Sequence, residues 1–286
     1  MPILTSNYIA SWYLVYLNGK YRLLESWNES LQQEVNNKQM IQGDIGTHIM
    51  DIGGVYYSAS LTSPIIIMGQ PGTGLYDVFD IVLEGLSVAQ NPITDEIANS
   101  LDYILEDSTI TINPEGINVS ANIVNSIGWA NQKEYFGDNY TDFVGRTARF
   151  YDTIFNFMGG TFLIKSADLN IKVETDKIYF IGQSQIPTYT IKGYTVEGKA
   201  TLVTTPESYD AQVLINLQTP GFHFPINREV SLQVQDQYSE NGFGYRKLNL
   251  GEFMEVPSIS LDLKPNQTIE ATVNFKTYFR RSSYLG

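Results

Sequence analysis

Apolar side chains in this chain recur at every second position, segment after segment. Ile110, Ile112, Ile117, Val119, Ala121 and Ile123 alternate with polar residues on either side of Pro114-Glu115-Gly116. That spacing puts one face of a hairpin against a core and the other in water. Leu169, Ile171 and Val173 repeat the pattern, as do Val230, Leu232 and Val234. Ile259, Leu261 and Leu263 run into Lys264-Pro265-Asn266, and Ile269, Ala271, Val273 and Phe275 return from it. A two-residue period in so many segments excludes a helical bundle and predicts a mainly β fold.

Helical spacing is scarcer. Asn28 to Met40 offers Leu31 and Val35 on one face behind a capping Ser26 or Asn28, and predicts a helix. Thr94 to Leu105 predicts a second: Thr94 caps it, Asp95 and Glu96 suit the positive helix end, and Ile97, Leu101 and Leu105 share a face. A short third follows Thr205-Pro206-Glu207 through Leu214. Val78 to Leu83, nearly all apolar, reads as a strand. Trp12 to Leu17, apolar on both faces, reads as a strand inside a sheet or at a subunit contact.

The chain also repeats itself. Met50 to Leu61 holds Gly53-Gly54, the three residues Val55-Tyr56-Tyr57 and then Ser58-Ala59-Ser60-Leu61, and Met158 to Leu169 holds Gly159-Gly160, the five residues Thr161 to Lys165 and then Ser166-Ala167-Asp168-Leu169. Each half then ends in a proline-turn hairpin, Thr109 to Val124 and Ser258 to Phe275. The expectation is a tandem duplication with domains at 1–150 and 151–286. The halves differ in charge: 6 basic against 17 acidic residues in the first, 12 against 14 in the second. Between them, Ile127 to Tyr151 is polar and glycine-rich, yet Trp129, Tyr135, Phe136, Tyr140 and Phe143 predict that it packs on something.

Charge and composition narrow the function. A net charge of −13 argues against a grip on nucleic-acid phosphates or an anionic membrane. With 43% hydrophobic residues in 286, the chain buries a full core. It has no cysteine, which removes disulfides and thiolate chemistry. Its apolar runs, such as Ile65 to Met68, are far below the ~20 residues of a membrane helix, and the first ten residues do not read as a signal peptide. Four Asn-x-Ser/Thr triplets, at Asn28, Asn118, Asn139 and Asn266, read as chance in an Asn-rich chain.

Catalytic patterns are few. His48 and His223 are the two histidines, and neither stands in a metal-binding or nucleophile motif. Gly69-Gln70-Pro71-Gly72-Thr73-Gly74 lacks the Lys-Ser/Thr of a phosphate loop. Asp138-Asn139-Tyr140-Thr141-Asp142 lacks the ligand spacing of a calcium loop. The carboxylate pairs Asp95-Glu96 and Glu106-Asp107 read as complements to helix ends. No catalytic, cofactor-binding or metal-binding residue is assigned, and no enzymatic activity is expected. Tyr8, Trp12, Tyr13, Tyr16, Tyr21 and Trp27 read first as strand residues and second as a sugar-stacking surface.

The second half carries a further pattern. A strand, Leu169-Asn170-Ile171-Lys172-Val173, leads to Lys177-Ile178-Tyr179-Phe180-Ile181-Gly182-Gln183-Ser184. Pro187 follows, then Tyr189 to Gly193, then a long alternating strand with Val196-Glu197-Gly198. Over most of residues 158–280 this resembles the tube proteins of bacteriophage tails, whose long hairpin strand carries a V-x-G element. The resemblance implies two tandem β-barrel or sandwich domains with short flanking helices, joining neighbours edge to edge. It implies a stacked trimeric or hexameric ring, contacts with other tail or baseplate proteins, and DNA passing without specific binding. It places the protein in the virion tail after synthesis in the host cytoplasm, with no membrane partner. Tail tube and baseplate hub or tube initiator both belong to this expectation. A carbohydrate- or receptor-binding β-sandwich using Trp12 or Trp129 stands beside it, and a hydrolase with paired carboxylates is weakest.

Overall fold

The computed structural model describes residues 13–42, 45–68, 75–90, 103–125, 129, 133–134, 145–157, 160–178, 188–205, 209–217, 226–239, 242–262 and 268–280. Among them the fold is mainly β. Strands β1 (Tyr13–Leu17), β2 (Lys20–Leu24), β3 (Ser26–Gln42), β4 (Ile45–Pro64), β5 (Ile66–Met68) and β6 (Leu75–Tyr76) precede helix α1 (Val78–Gln90). Then come β7 (Ile104–Asn113), β8 (Gly116–Asn125), β9 (Lys133–Glu134) and β10 (Gly145–Thr147). A 3-10 turn at Phe150–Asp152 opens the second half, followed by β11 (Thr153–Phe157), β12 (Gly160–Ile178) and β13 (Thr188–Thr204). Helix α2 (Tyr209–Leu217), β14 (Ile226–Ser239), β15 (Gly242–Asp262) and β16 (Ile269–Arg280) complete it.

Eight of these strands lie side by side in the order β3-β4-β8-β7-β12-β13-β16-β15. The first four come from the first half of the chain and the last four from the second. Both sets have the same internal order: the two strands of a long hairpin, then the last strand, then the one before it. The sets meet where β7 pairs antiparallel with β12, from Asp107 opposite Lys172 to Ile112 opposite Ala167. β11 pairs with both β12 and β14, so the pairings β11-β12-β13-β16-β15-β14 return to β11. The first half has its own small sheet, β6-β2-β1-β9.

The alternation reads onto the structure directly. Ile110, Ile112, Ile117, Val119, Ala121 and Ile123 are buried, as are Leu169, Ile171, Val173, Val230, Leu232 and Val234. Helix α1 lies across β4, β7, β8 and β13, with Val78, Phe79, Ile81, Val82 and Leu86 buried. It sits so close that a Cβ on Gly85 would come 2.6 Å from Leu105 Cβ. A second close approach explains the V-x-G glycine. Gly198 on β13 faces Phe275 on β16, and a Cβ there would fall 2.3 Å from the ring. Phe275 in turn packs on Phe155 and Phe157, at 5.6 and 6.0 Å between centroids.

Several expectations need correction. Asn28 to Met40 is not a helix but part of β3. Asn28, Glu29, Ser30 and Leu31 are all exposed, so no buried face imposes alternation on these four. Val78 to Leu83 is not a strand but the start of α1, whose wide buried surface hides its helical period. Ile104 and Leu105 belong to β7, as do Glu106 and Asp107, so that acidic pair adjoins no helix end; the remainder of the predicted 94–105 helix, bar Tyr103, lies outside the described residues. The third helix forms as α2. The glycine pairing of the repeat joins unlike places: Gly53-Gly54 falls inside β4, a second hairpin strand, and Gly160 begins β12, a first one. The expected strand at Trp12 to Leu17 forms as β1 over Tyr13–Leu17, with Leu14, Val15 and Leu17 buried and Tyr16 41% exposed.

Candidate assembly surface

The eight-stranded sheet turns a polar face outward, away from the core and α1. Its side chains link strand to strand. Ser30 and Ser58 hydroxyls are 2.7 Å apart. Ser60 donates to Asn122 Oδ1 at 2.5 Å, and Asn122 donates to Asp107 Oδ1 at 2.7 Å. Thr109 donates to Asn170 Oδ1 at 3.1 Å, crossing from one half of the chain to the other. Farther along, Lys276 donates to Glu197 at 2.7 Å, Lys165 to Glu270 at 2.8 Å, and Asn274 to Ser258 Oγ at 2.6 Å. Exposed pairs of this kind contribute little to stability. Their effect is to coat the sheet with hydroxyls, amides and charges of both signs. The Lys276–Glu197 contact lowers the Glu197 carboxyl and raises the Lys276 ammonium from their ordinary values, through hydrogen bond and charge.

Two buried charge clusters fix what lies behind this face. Asp77 and Asp80 bracket the first turn of α1, each accepting the other's backbone N–H, at 3.2 and 3.0 Å. Asp77 also accepts the Ile66 N–H at 2.8 Å. Arg246 of β15 reaches both carboxylates, at 2.9 and 3.0 Å, and donates to the Ile66 carbonyl at 3.0 Å. Its Nε lies 3.4 Å from Asp236 on β14, and its guanidinium 5.3 Å from the Phe79 ring. The cluster ties α1 and β5 of the first half to β14 and β15 of the second. Burial, with Asp77 beside it, pushes the Asp80 carboxyl up to about 6 although Arg246 pulls the other way. Burial alone would lower the Arg246 pKa, but Asp77 and Asp80 outweigh it and hold it above its ordinary value.

The second cluster centres on Glu84, one turn farther along α1. It accepts from Lys20 at 2.6 Å, Arg22 at 2.6 Å and Tyr103 at 2.7 Å. Burial would raise the Glu84 carboxyl, yet Arg22, Lys20 and Tyr103 together hold it below its ordinary value. Arg22 is fully buried and stacks 5.1 Å from the Tyr76 ring. This cluster docks β2 on α1 within the first half. None of these residues was singled out from sequence. The one local signal was Asp77-x-x-Asp80, an acidic pair at the spacing of a helix N-terminus.

Residues weighed from sequence fall as follows. His48 lies in β4. His223, Trp12, Asp95-Glu96, Gly69 to Gly74 and Asp138 to Asp142 lie outside the described residues. Trp129 is 2% exposed and meets Trp27 edge to face at 5.4 Å, so it packs in the core and offers no platform for a sugar. Tyr16 and Tyr21 are exposed neighbours, 5.0 Å apart. Among the described residues no three metal-ligating side chains converge, and no helix is long and apolar enough to cross a membrane.

The outermost strands of the sheet complete the surface. β3 ends the described sheet on one side. On the other, β15 pairs with β14 only as far as Met254, and from Ser258 onward its described ladder is with β16 alone. No protein-family model matches the chain, and no match is found among curated proteins.

Proposed function

We propose that this chain is a structural protein that assembles into rings, as a tube or tube-proximal baseplate component of a phage-like tail. Two tandem barrel-like domains, divided near residue 150, are the units, and the return of the β11 to β14 pairings on themselves is consistent with one such barrel in the second half. The observation that carries the reading is the shared strand order of the two four-stranded sets and their joining edge to edge at β7 and β12. A module that pairs with its own duplicate through its edges satisfies the backbone groups that an open sheet leaves bare. A ring of such modules closes without leaving an edge. Each chain contributes two modules, so a six-module ring needs three chains. The polar face then lines the channel. Lys165, Lys172, Lys199 and Lys276 stand among Asp107, Asp168, Glu197 and Glu270 on that face, so DNA meets no unbroken cationic track and passes without being held.

Negative-stain microscopy of the concentrated protein tests this. Rings or stacked tubes with a central hole are expected. Particles that stay single and solid at every concentration would refute the reading.

A further inference from the structure

Resting on the ring-forming reading, we propose that the seam between copies repeats, residue for residue, the seam already present within each chain. β3 of one copy pairs antiparallel with the end of β15 of a second copy, Ser30 opposite Ser260 and Leu31 opposite Ile259.

The register comes from equivalences in the backbone. The hairpin β1–β2 and the pair β11 with the start of β12 match at a constant offset: Tyr13–Leu17 lies where Thr153–Phe157 does, and Lys20–Leu24 where residues 160–164 do. The same offset carries into the long hairpins. Regular pairing resumes after an irregularity at Val35 in β3 and at Thr175 in β12. In the closing hairpins it resumes at Asp107 in β7 and at Ser258 in β15. Equating those residues makes Ser30 and Leu31 the counterparts of Asn170 and Ile171, and Ser260 and Ile259 the counterparts of Thr109 and Ser108. Within the chain, Asn170 sits opposite Thr109 and Ile171 opposite Ser108.

Exposure fits this seam. Ile171, flanked by β7 of the first half, is 1% exposed, whereas its counterpart Leu31, on the strand that ends the described sheet, is 61% exposed. Ile259, its proposed partner, is an apolar residue at the rim of the core. Ser30 and Ser260 are both exposed on the polar face. The register therefore sets hydroxyl against hydroxyl outside and aliphatic against aliphatic inside. A slip of one residue would set each against its opposite. β-strand addition of this kind draws its affinity from main-chain hydrogen bonds and its specificity from alternate side chains.

The natural absence of cysteine makes the test clean. Opposed residues of antiparallel strands have Cα atoms about 4.5–5.5 Å apart, inside the range a disulfide spans. The full-length S30C/S260C variant is oxidised and run on a non-reducing gel beside S30C/S258C, which is two residues out of register. The expected result is a ladder of covalent oligomers for the first and markedly less for the second. Rings in the microscope with no such preference would overturn this seam and leave the ring reading standing. Neither rings nor cross-linking would overturn both. Cross-linked open chains without rings would uphold the seam and contradict closure. An intrachain disulfide alone, migrating as monomer, would overturn the seam.

Discussion

At the scale of single residues, two positions matter out of proportion to their size. Gly198 leaves room for the Phe275 ring at the centre of an aromatic cluster. Gly198→Ala forces that ring or the β13 backbone to move, and overpacking of this kind typically costs about 1–3 kcal/mol. The variant should unfold at lower temperature than the wild type, as read by scanning fluorimetry; an unchanged transition would show that the close approach is not a constraint. Asp80 is the other. Its folded carboxyl is raised to about 6 from an ordinary 3.8, so folding takes up a proton between those values. Stability from this group is therefore gained as pH falls through 6 and is lost as pH rises through it. The melting temperature should rise between pH 7.5 and pH 5. Asp80→Asn keeps an acceptor oxygen without the charge, and should flatten that part of the profile and melt above wild type at pH 7.5. Glu84 acts in the opposite sense: its lowered carboxyl adds stability that is lost on further acidification, below its ordinary 4.5.

At the scale of elements, α1 is the part on which both halves converge. Arg246 grips its first turn from β15, while Arg22 and Lys20 grip Glu84 from β2. Arg246→Met leaves Asp77 and Asp80 buried without their cation, and removing one partner of a buried ion pair typically costs about 3–5 kcal/mol. Urea unfolding should show a lower midpoint, and proteolysis should cut first near β5 and the start of α1; equal midpoints would mean the cluster does not join the halves. The sequence revealed elements wherever a sheet had one buried face. The hairpins at Pro114 and before Ile269 alternate because Ile110, Ile117, Ala271 and Val273 must enter a core while their neighbours meet water. It misled where that condition failed. β3 has Asn28, Glu29, Ser30 and Leu31 all exposed, and its chance spacing of Leu31 and Val35 imitates a helix. α1 is buried so widely that Val78 to Val82 show no period. The sequence repeat set Gly53-Gly54 against Gly159-Gly160 and missed the shared strand order, because strands at like places in that order have few identities, among them Leu23 with Leu163 and Ser26 with Ser166. A backbone register can persist when the side chains that announce it have changed. The edges that carry the proposed function left no motif, because an edge is made by where strands stop pairing and not by any residue type.

At the scale of the whole molecule, the chain joins two like-ordered sheets in a line and leaves β3 and the end of β15 at its extremes. In the proposed assembly, self-association is a property of the backbone edges and not of a large apolar patch. Such an interface adds copies in one direction and stops only when it meets its own beginning. Mass photometry across a rising concentration series measures this most directly. The 32.2 kDa species should give way to a particle of three chains and then to multiples of three. A single 32.2 kDa population throughout, or an unbounded series with no favoured closed size, would contradict it.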